Sequence, residues 1–83
     1  MKLYRHYKGG VYVILLEGLT VQYTETGETM VVYRQISTGW NFTRPQAVFL
    51  GQAVKDGALV RRFEPIEACD LSREEAVNLR EHG

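Results

Sequence analysis

The sequence predicts a small, mainly β protein with a short helix at its C-terminus. Its 83 residues are enough for one small domain. Short runs rich in aromatic and β-branched residues alternate with turn signals at intervals of roughly 8–12 residues, which is typical of a small all-β barrel. A helical pattern follows only after Pro65. We therefore expect residues 1–66 to form a small β-barrel and residues 67–83 to form a helical extension.

The first predicted hairpin is centred on two glycines. Gly9-Gly10 separates the segment Leu3–Lys8 from the apolar run Val11–Leu16, and both flanks have the composition of strands. The apolar run is short and ends near Gly18, which we expect to mark a bulge or a bend.

A second hairpin is predicted around Gly27, with Thr20–Thr24 leading into the turn Glu25–Glu28 and Thr29–Ile36 returning. On the return strand, alternation places Arg34 and Ile36 on one face and Tyr33 on the other, so each face is partly apolar. Apolar residues on both faces favour a closed or strongly curled sheet over a flat sheet with one solvent-exposed face.

The rest of the barrel is predicted from proline and glycine. A short strand, Trp40–Thr43, stops at Arg44-Pro45 because proline cannot donate to a ladder. A single helical turn over Gln46–Leu50 and a third hairpin with Asp56-Gly57 as its turn dipeptide complete this part of the chain.

The final segment carries the signature of a helix start. Ser72 is in the position of an N-cap, and Glu75 completes a capping box three residues later. The predicted helix is barely three turns long, so we expect it to form only if it docks on the barrel.

The charge and composition of the chain argue against several classes of protein. Ten basic and ten acidic residues give a formal net charge of zero. Residues 1–44 carry 5 − 3 = +2 and residues 45–83 carry 5 − 7 = −2. Strong non-specific nucleic-acid binding normally needs a larger basic excess. With no apolar run of membrane-spanning length, no signal-peptide pattern and one cysteine, we expect a cytoplasmic protein without a membrane partner.

The sequence contains no recognisable motif for catalysis or for metal binding. Cys69, His6 and His82 share no metal-ligand motif, and Cys69 lies in an acidic stretch that disfavours a thiolate nucleophile. The carboxylate pairs Glu25/Glu28 and Glu74/Glu75 have structural explanations at a turn and a helix start. No phosphate-binding glycine loop is present. We expect no enzyme activity, no metal and no cofactor.

Several segments occur in an order that resembles a known family: Tyr4–Tyr12, Thr26-Gly27 before Met30–Tyr33, Arg44-Pro45 followed by Phe49, and Asp56-Gly57 before Arg62-Phe63. This is similar to the small bacterial domain of unknown function sixteen-fifty-three, over roughly residues 3–66. The resemblance implies a compact, SH3-like β-barrel and no established activity. Phe42 falls where the family usually has tryptophan.

The candidate binding residues are cationic and aromatic: Arg5, Tyr7, Lys8, Arg34, Trp40 and Arg44. One interpretation is that they converge on a hollow for an anionic partner, either nucleic acid or an acidic protein segment. The other is that the rings form the core and the arginines pair with the acids of residues 64–81. We expect a non-catalytic binding module, the alternative being a protein–protein interaction or homo-oligomerising module, such as a homodimer.

Overall fold

The computed structural model describes residues 1–20 and 27–83. Its elements, in chain order, are β1 (Leu3–His6), β2 (Val11–Thr20), β3 (Thr29–Gln35), β4 (Asn41–Pro45), α1 (Gln46–Phe49), β5 (Gln52–Lys55), β6 (Ala58–Arg61), β7 (Phe63–Ile66), a 3₁₀ turn (Ala68–Asp70) and α2 (Arg73–His82). The prediction of a mainly β protein with a short C-terminal helix is confirmed.

Most strands join one antiparallel sheet. Its order is β4-β3-β2-β1-β7, while β5 and β6 pair only with each other in a separate hairpin. Within residues 1–20 and 27–83, no ladder joins β4 to β7, so the hydrogen-bonded sheet is open between its two end strands. Closure of the sheet into an SH3-like barrel and the boundary at residue 66 between the barrel and the helical extension both stay predictions.

The described turns follow the glycine signals. Gly9 closes the β1–β2 turn with a φ of 110°, and Asp56 and Gly57 both adopt positive φ values, 53° and 79°, as a type I′ hairpin turn requires. The predicted irregularity at Gly18 is confirmed, since the β2–β3 register shifts between Leu16 and Leu19. The predicted strand end Val21–Thr24 and turn residues Glu25 and Thr26 lie outside the described residues.

The large sheet buries a different apolar cluster on each face. On one face, buried side chains pack beneath the C-terminal segment: Leu3, Val11, Val13 and Ile36, with Ile66, Leu71 and Leu79 against them. On the other, an aromatic cluster packs beneath α1: Val31, Tyr33, Phe49 and Phe63, with Tyr4, Tyr12 and Ile14 against them. The sheet is therefore covered on both sides, which explains why both faces of β3 carry apolar residues.

Helix α2 begins as the sequence predicts. Ser72 Oγ accepts a hydrogen bond from the Glu75 amide at 3.1 Å, and Glu75 Oε1 accepts one from the Ser72 amide at 2.9 Å. The helix contributes no fully buried residue, although Leu79 is partly buried against the sheet. Neither helix in the described part of the chain is long and apolar enough to cross a bilayer.

Candidate functional site

A concave surface of the described chain lies between the β1–β2 turn and the β5–β6 hairpin. It is an open groove of about 850 Å³. A backbone hydrogen bond joins its two sides, because the Tyr7 amide donates to the Arg62 carbonyl at 3.0 Å. The Arg62 amide in turn donates to the Gly51 carbonyl at 3.0 Å, which closes the base of the hairpin. Its lining residues are Arg5, His6, Tyr7, Lys8, Gly9, Val54, Lys55, Val60, Arg61 and Glu64.

The groove has a basic rim. In the part of the chain that the structure describes, four cationic side chains line it, Arg5, Lys8, Lys55 and Arg61, against one carboxylate, that of Glu64. Among the described residues, only Arg5 of these four belongs to an ion pair. The other three cations are therefore available to an incoming anion, and Val54 and Val60 add apolar lining to the groove.

His6 and Tyr7 form the aromatic wall of the groove. Their ring centroids lie 4.5 Å apart, and the Lys8 ammonium lies 5.7 Å from the Tyr7 centroid. His6 Nδ1 accepts a hydrogen bond from the Lys8 amide at 3.2 Å. Burial lowers the pKa of His6, and the positive charges of Arg44, Lys8 and Arg62 lower it further. Burial and the neighbouring positive charges therefore both favour the neutral imidazole in the folded protein.

Arg5 connects the groove to α2. Its Nη1 and Nη2 donate to the two carboxylate oxygens of Glu75 at 2.8 and 3.0 Å, and Nη1 also donates to the Gly9 carbonyl at 3.1 Å. Hydrogen bonding to Glu75 raises the pKa of Arg5. The same contact, together with the Ser72 amide, lowers the pKa of Glu75 to about 2. The pair is a bidentate, charge-assisted contact.

The structure brings together half of the predicted binding residues. Arg5, Tyr7 and Lys8 line the groove, as just described. Arg34 lies on the α2 face, where its guanidinium donates to Asn41 Oδ1 at 2.7 Å and to the His82 carbonyl at 3.2 Å.

Arg44 and Trp40 lie elsewhere. Arg44 is paired across the sheet with buried Val31, on the aromatic face, and its Nε donates to the Tyr33 hydroxyl at 3.1 Å. Trp40 is 67% exposed in the turn before β4. The expectation that all six side chains converge on one hollow is therefore corrected by the register of β3 and β4, which sends Arg34 and Arg44 to opposite faces. Whether each residue binds a ligand stays a prediction.

The rival interpretation accounts for several of these residues. Tyr33, Phe49 and Phe63 are buried core rings, and Arg5 pairs with Glu75 from the acidic segment. Cys69 is exposed, and the described residues include no cluster of three or more histidine, cysteine, aspartate or glutamate side chains able to hold a metal ion.

The candidate binding residues given by the sequence leave out Lys55 and Arg61, which both line the groove. The Asp56-Gly57 signal locates their hairpin, and Lys55 ends β5 while Arg61 ends β6. The Asp56-Gly57 signal does not predict where the hairpin lies relative to β1. That placement comes from the backbone contacts of Arg62, which are tertiary and have no local signature.

These features define a small, mainly β domain with two covered sheet faces and one basic groove. The chain belongs to the family described as protein of unknown function, DUF1653, whose model matches residues 2–65. No curated protein and no solved structure matches it. The matched range includes every lining residue of the groove and ends before α2.

Proposed function

We propose that this protein is a non-catalytic binding module that holds an acidic protein segment in the groove between the β1–β2 turn and the β5–β6 hairpin. One observation carries the proposal. Lys8, Lys55 and Arg61 surround the groove without an ion pair inside the described chain. Cations collected around a concave surface and left unneutralised favour an anionic ligand.

The apolar part of the groove favours a polypeptide over a nucleic acid. Val54 and Val60 also line the groove, so a peptide can pack an aliphatic side chain against them while its carboxylates contact the cations. Single-stranded nucleic acids instead need exposed rings for base stacking. Among the described residues, the rings that line the groove are those of His6 and Tyr7, which already contact each other, and the net charge of the chain is zero.

A binding assay with two probes tests the proposal. A fluorescent oligo-glutamate peptide with one central leucine is titrated with the protein, and a single-stranded oligodeoxynucleotide is titrated in parallel. The double variant Lys55→Gln/Arg61→Gln is expected to weaken peptide binding about fivefold, as two partly exposed charge contacts would.

The matched control is Arg73→Gln/Arg80→Gln, which removes the same net charge from exposed positions of α2. Equal effects of the two double variants would contradict a role for the groove. Tighter binding of the oligodeoxynucleotide than of the peptide would replace the acidic segment with nucleic acid as the partner.

A second candidate function is self-association. Leu15, Leu16 and Leu19 of β2 are each at least 40% exposed, and so is Leu50, which follows α1. Leu50 also lines a crevice of about 310 Å³ beside Gly18. Exposed apolar side chains of this kind are typical of protein interfaces. Light scattering after size exclusion tests it: a dimer that Leu50→Glu dissociates would support self-association, and a strict monomer at high concentration would contradict it.

A further inference from the structure

Arg5 belongs to two sites at once. Its side chain lines the groove, while its guanidinium is held by Glu75 of α2 and by the Gly9 carbonyl. The pair is only partly enclosed, with 33% of the Arg5 side chain and 23% of the Glu75 side chain exposed. A ligand in the groove can therefore reach the cation that fastens α2.

Glu75 has a double role on the other side of this contact. Its Oε1 accepts a hydrogen bond from the Ser72 amide, at 2.9 Å, and another from Arg5 Nη2, at 3.0 Å. The carboxylate that caps the helix start is thus the one that holds the helix to β1. Loss of the Arg5 contact would weaken both the docking and the ordering of the first turn of α2.

The two ends of α2 are fastened differently. At the C-terminal end, Arg34 donates to the His82 carbonyl, and Leu79 packs against the buried cluster of the sheet. At the N-terminal end, Arg5 donates to Glu75 and also, at 3.5 Å, to the Asp70 carbonyl, while Leu71 is partly buried against the sheet. Since α2 buries no residue fully, releasing its first turn from the sheet exposes little apolar surface.

We propose that a ligand carboxylate in the groove competes with Glu75 for Arg5, so that groove occupancy and docking of the first turn of α2 oppose each other. This inference rests on the proposed function of the groove. Because the coupling is a free energy shared by two equilibria, it acts in both directions: ligand binding loosens α2, and a loosened α2 frees Arg5 for the ligand. Helix α2 would act as a built-in competitor.

A pair of isosteric variants tests the coupling. Glu75→Gln removes the charge that competes for Arg5, while Glu74→Gln makes the same charge change on an exposed neighbour in the same helical turn. Both remove one negative charge, so long-range electrostatics change alike. We expect Glu75→Gln to bind the oligo-glutamate peptide about fivefold more tightly than Glu74→Gln does.

Hydrogen exchange on the wild-type protein supplies a second readout that does not depend on how the variants fold. Saturation with the peptide is expected to speed amide exchange at residues 75–77 and to leave the β2–β3 ladder unchanged. Equal peptide affinities of the two variants, or unchanged exchange in α2, would overturn the coupling. If Lys55→Gln/Arg61→Gln still weakens binding in that case, the proposed function stands alone; if the wild type binds no peptide, both fail.

Discussion

The ring of Phe49 stacks on that of Phe63 with centroids 4.0 Å apart and an angle of 10° between the ring planes. Phe49 belongs to the four-residue helix α1, and Phe63 is the first residue of the edge strand β7. Both rings are also in edge contact with Tyr33, which lies in the middle of β3. This stack therefore joins the two ends of the sheet across its aromatic face, and it fixes the end of the β5–β6 segment that carries one wall of the groove.

Removing the Phe49 ring should be among the most damaging single changes. Phe49 is 1% exposed, so Phe49→Ala leaves a cavity against Tyr33 and Phe63 and is expected to lower the free energy of unfolding by about 3–5 kcal/mol. Urea denaturation followed by tyrosine fluorescence measures this. The adjacent Leu50 is 61% exposed, and Leu50→Ala should change stability by less than about 0.5 kcal/mol. Similar losses of unfolding free energy in Phe49→Ala and Leu50→Ala would contradict the stabilising role of the Phe49–Phe63 stack.

The cap of α2 gives a second prediction. Ser72→Ala removes the hydroxyl that accepts from the Glu75 amide and should cost about 0.5–2 kcal/mol of helix stability. Hydrogen exchange of the α2 amides reports this loss directly, while Ser37→Ala, at an exposed turn position, is the control. Unchanged exchange in α2 would show that the capping box does not stabilise the helix.

Acid should weaken the contact between Arg5 and Glu75. The pKa of Glu75 falls from its ordinary value of 4.5 to about 2 on folding, chiefly because Arg5 bonds its carboxylate. A carboxylate with a lowered pKa stabilises the fold fully above pH 4.5, and that stability is lost as the pH falls from 4.5 towards 2. We expect a loss of roughly 1–2 kcal/mol, less than the full shift would give, because solvent screens a pair that is partly exposed.

Thermal unfolding at pH 7 and pH 3 distinguishes this contribution from general acid sensitivity. Glu75→Gln should be less stable than the wild type at pH 7 but should lose less stability on acidification. Glu74→Gln should follow the wild type. A Glu75→Gln curve parallel to the wild-type curve would argue against the ion pair as the source of the pH dependence.

His6 should add a separate step at milder pH. Its pKa is lowered by burial and by Arg44, Lys8 and Arg62, so the unfolded chain takes up a proton before the folded one does. Stability is therefore complete above the ordinary pKa of 6.5 and declines as the pH falls below it. Protonation at Nδ1 would also remove the acceptor used by the Lys8 amide.

The variant His6→Asn tests this step, because the asparagine oxygen can replace Nδ1 as an acceptor but does not titrate. It should flatten the slope of stability against pH between pH 7 and pH 5, although it is less stable at pH 7 because it loses the ring contact with Phe63 at 4.8 Å. His82→Asn is the control for removing an imidazole. An unchanged slope in His6→Asn would place the titration elsewhere.

Local chemistry explains what could be predicted from the sequence. The Ser72–Glu75 box and the Asp56-Gly57 turn depend on residues within a few positions of each other, and both occur as expected. The alternation of β3 correctly separated Tyr33 from Ile36, because the period of a strand is set by its own backbone.

The groove could be predicted only in part, because it is made by contacts between distant segments. The clustering of cationic and aromatic residues near the start of the chain predicts Arg5 and Lys8 as binding residues. Lys55 and Arg61 belong to a hairpin whose position depends on the tertiary contacts of Arg62, and the sequence does not show those contacts. The sequence of β4 alone does not give the register of β4 against β3, which pairs Arg44 with Val31, so it cannot predict that Arg44 lies away from the groove.

The most direct test of the binding groove is an NMR titration of the labelled wild-type protein with the oligo-glutamate peptide. We predict that the largest amide shifts fall on Tyr7, Lys8, Lys55 and Val60, that they weaken as salt is raised, and that Lys55→Gln/Arg61→Gln suppresses them. Shifts centred on β4 and Trp40 instead, or no saturable shifts at low salt, would contradict the assignment of the binding surface to this groove.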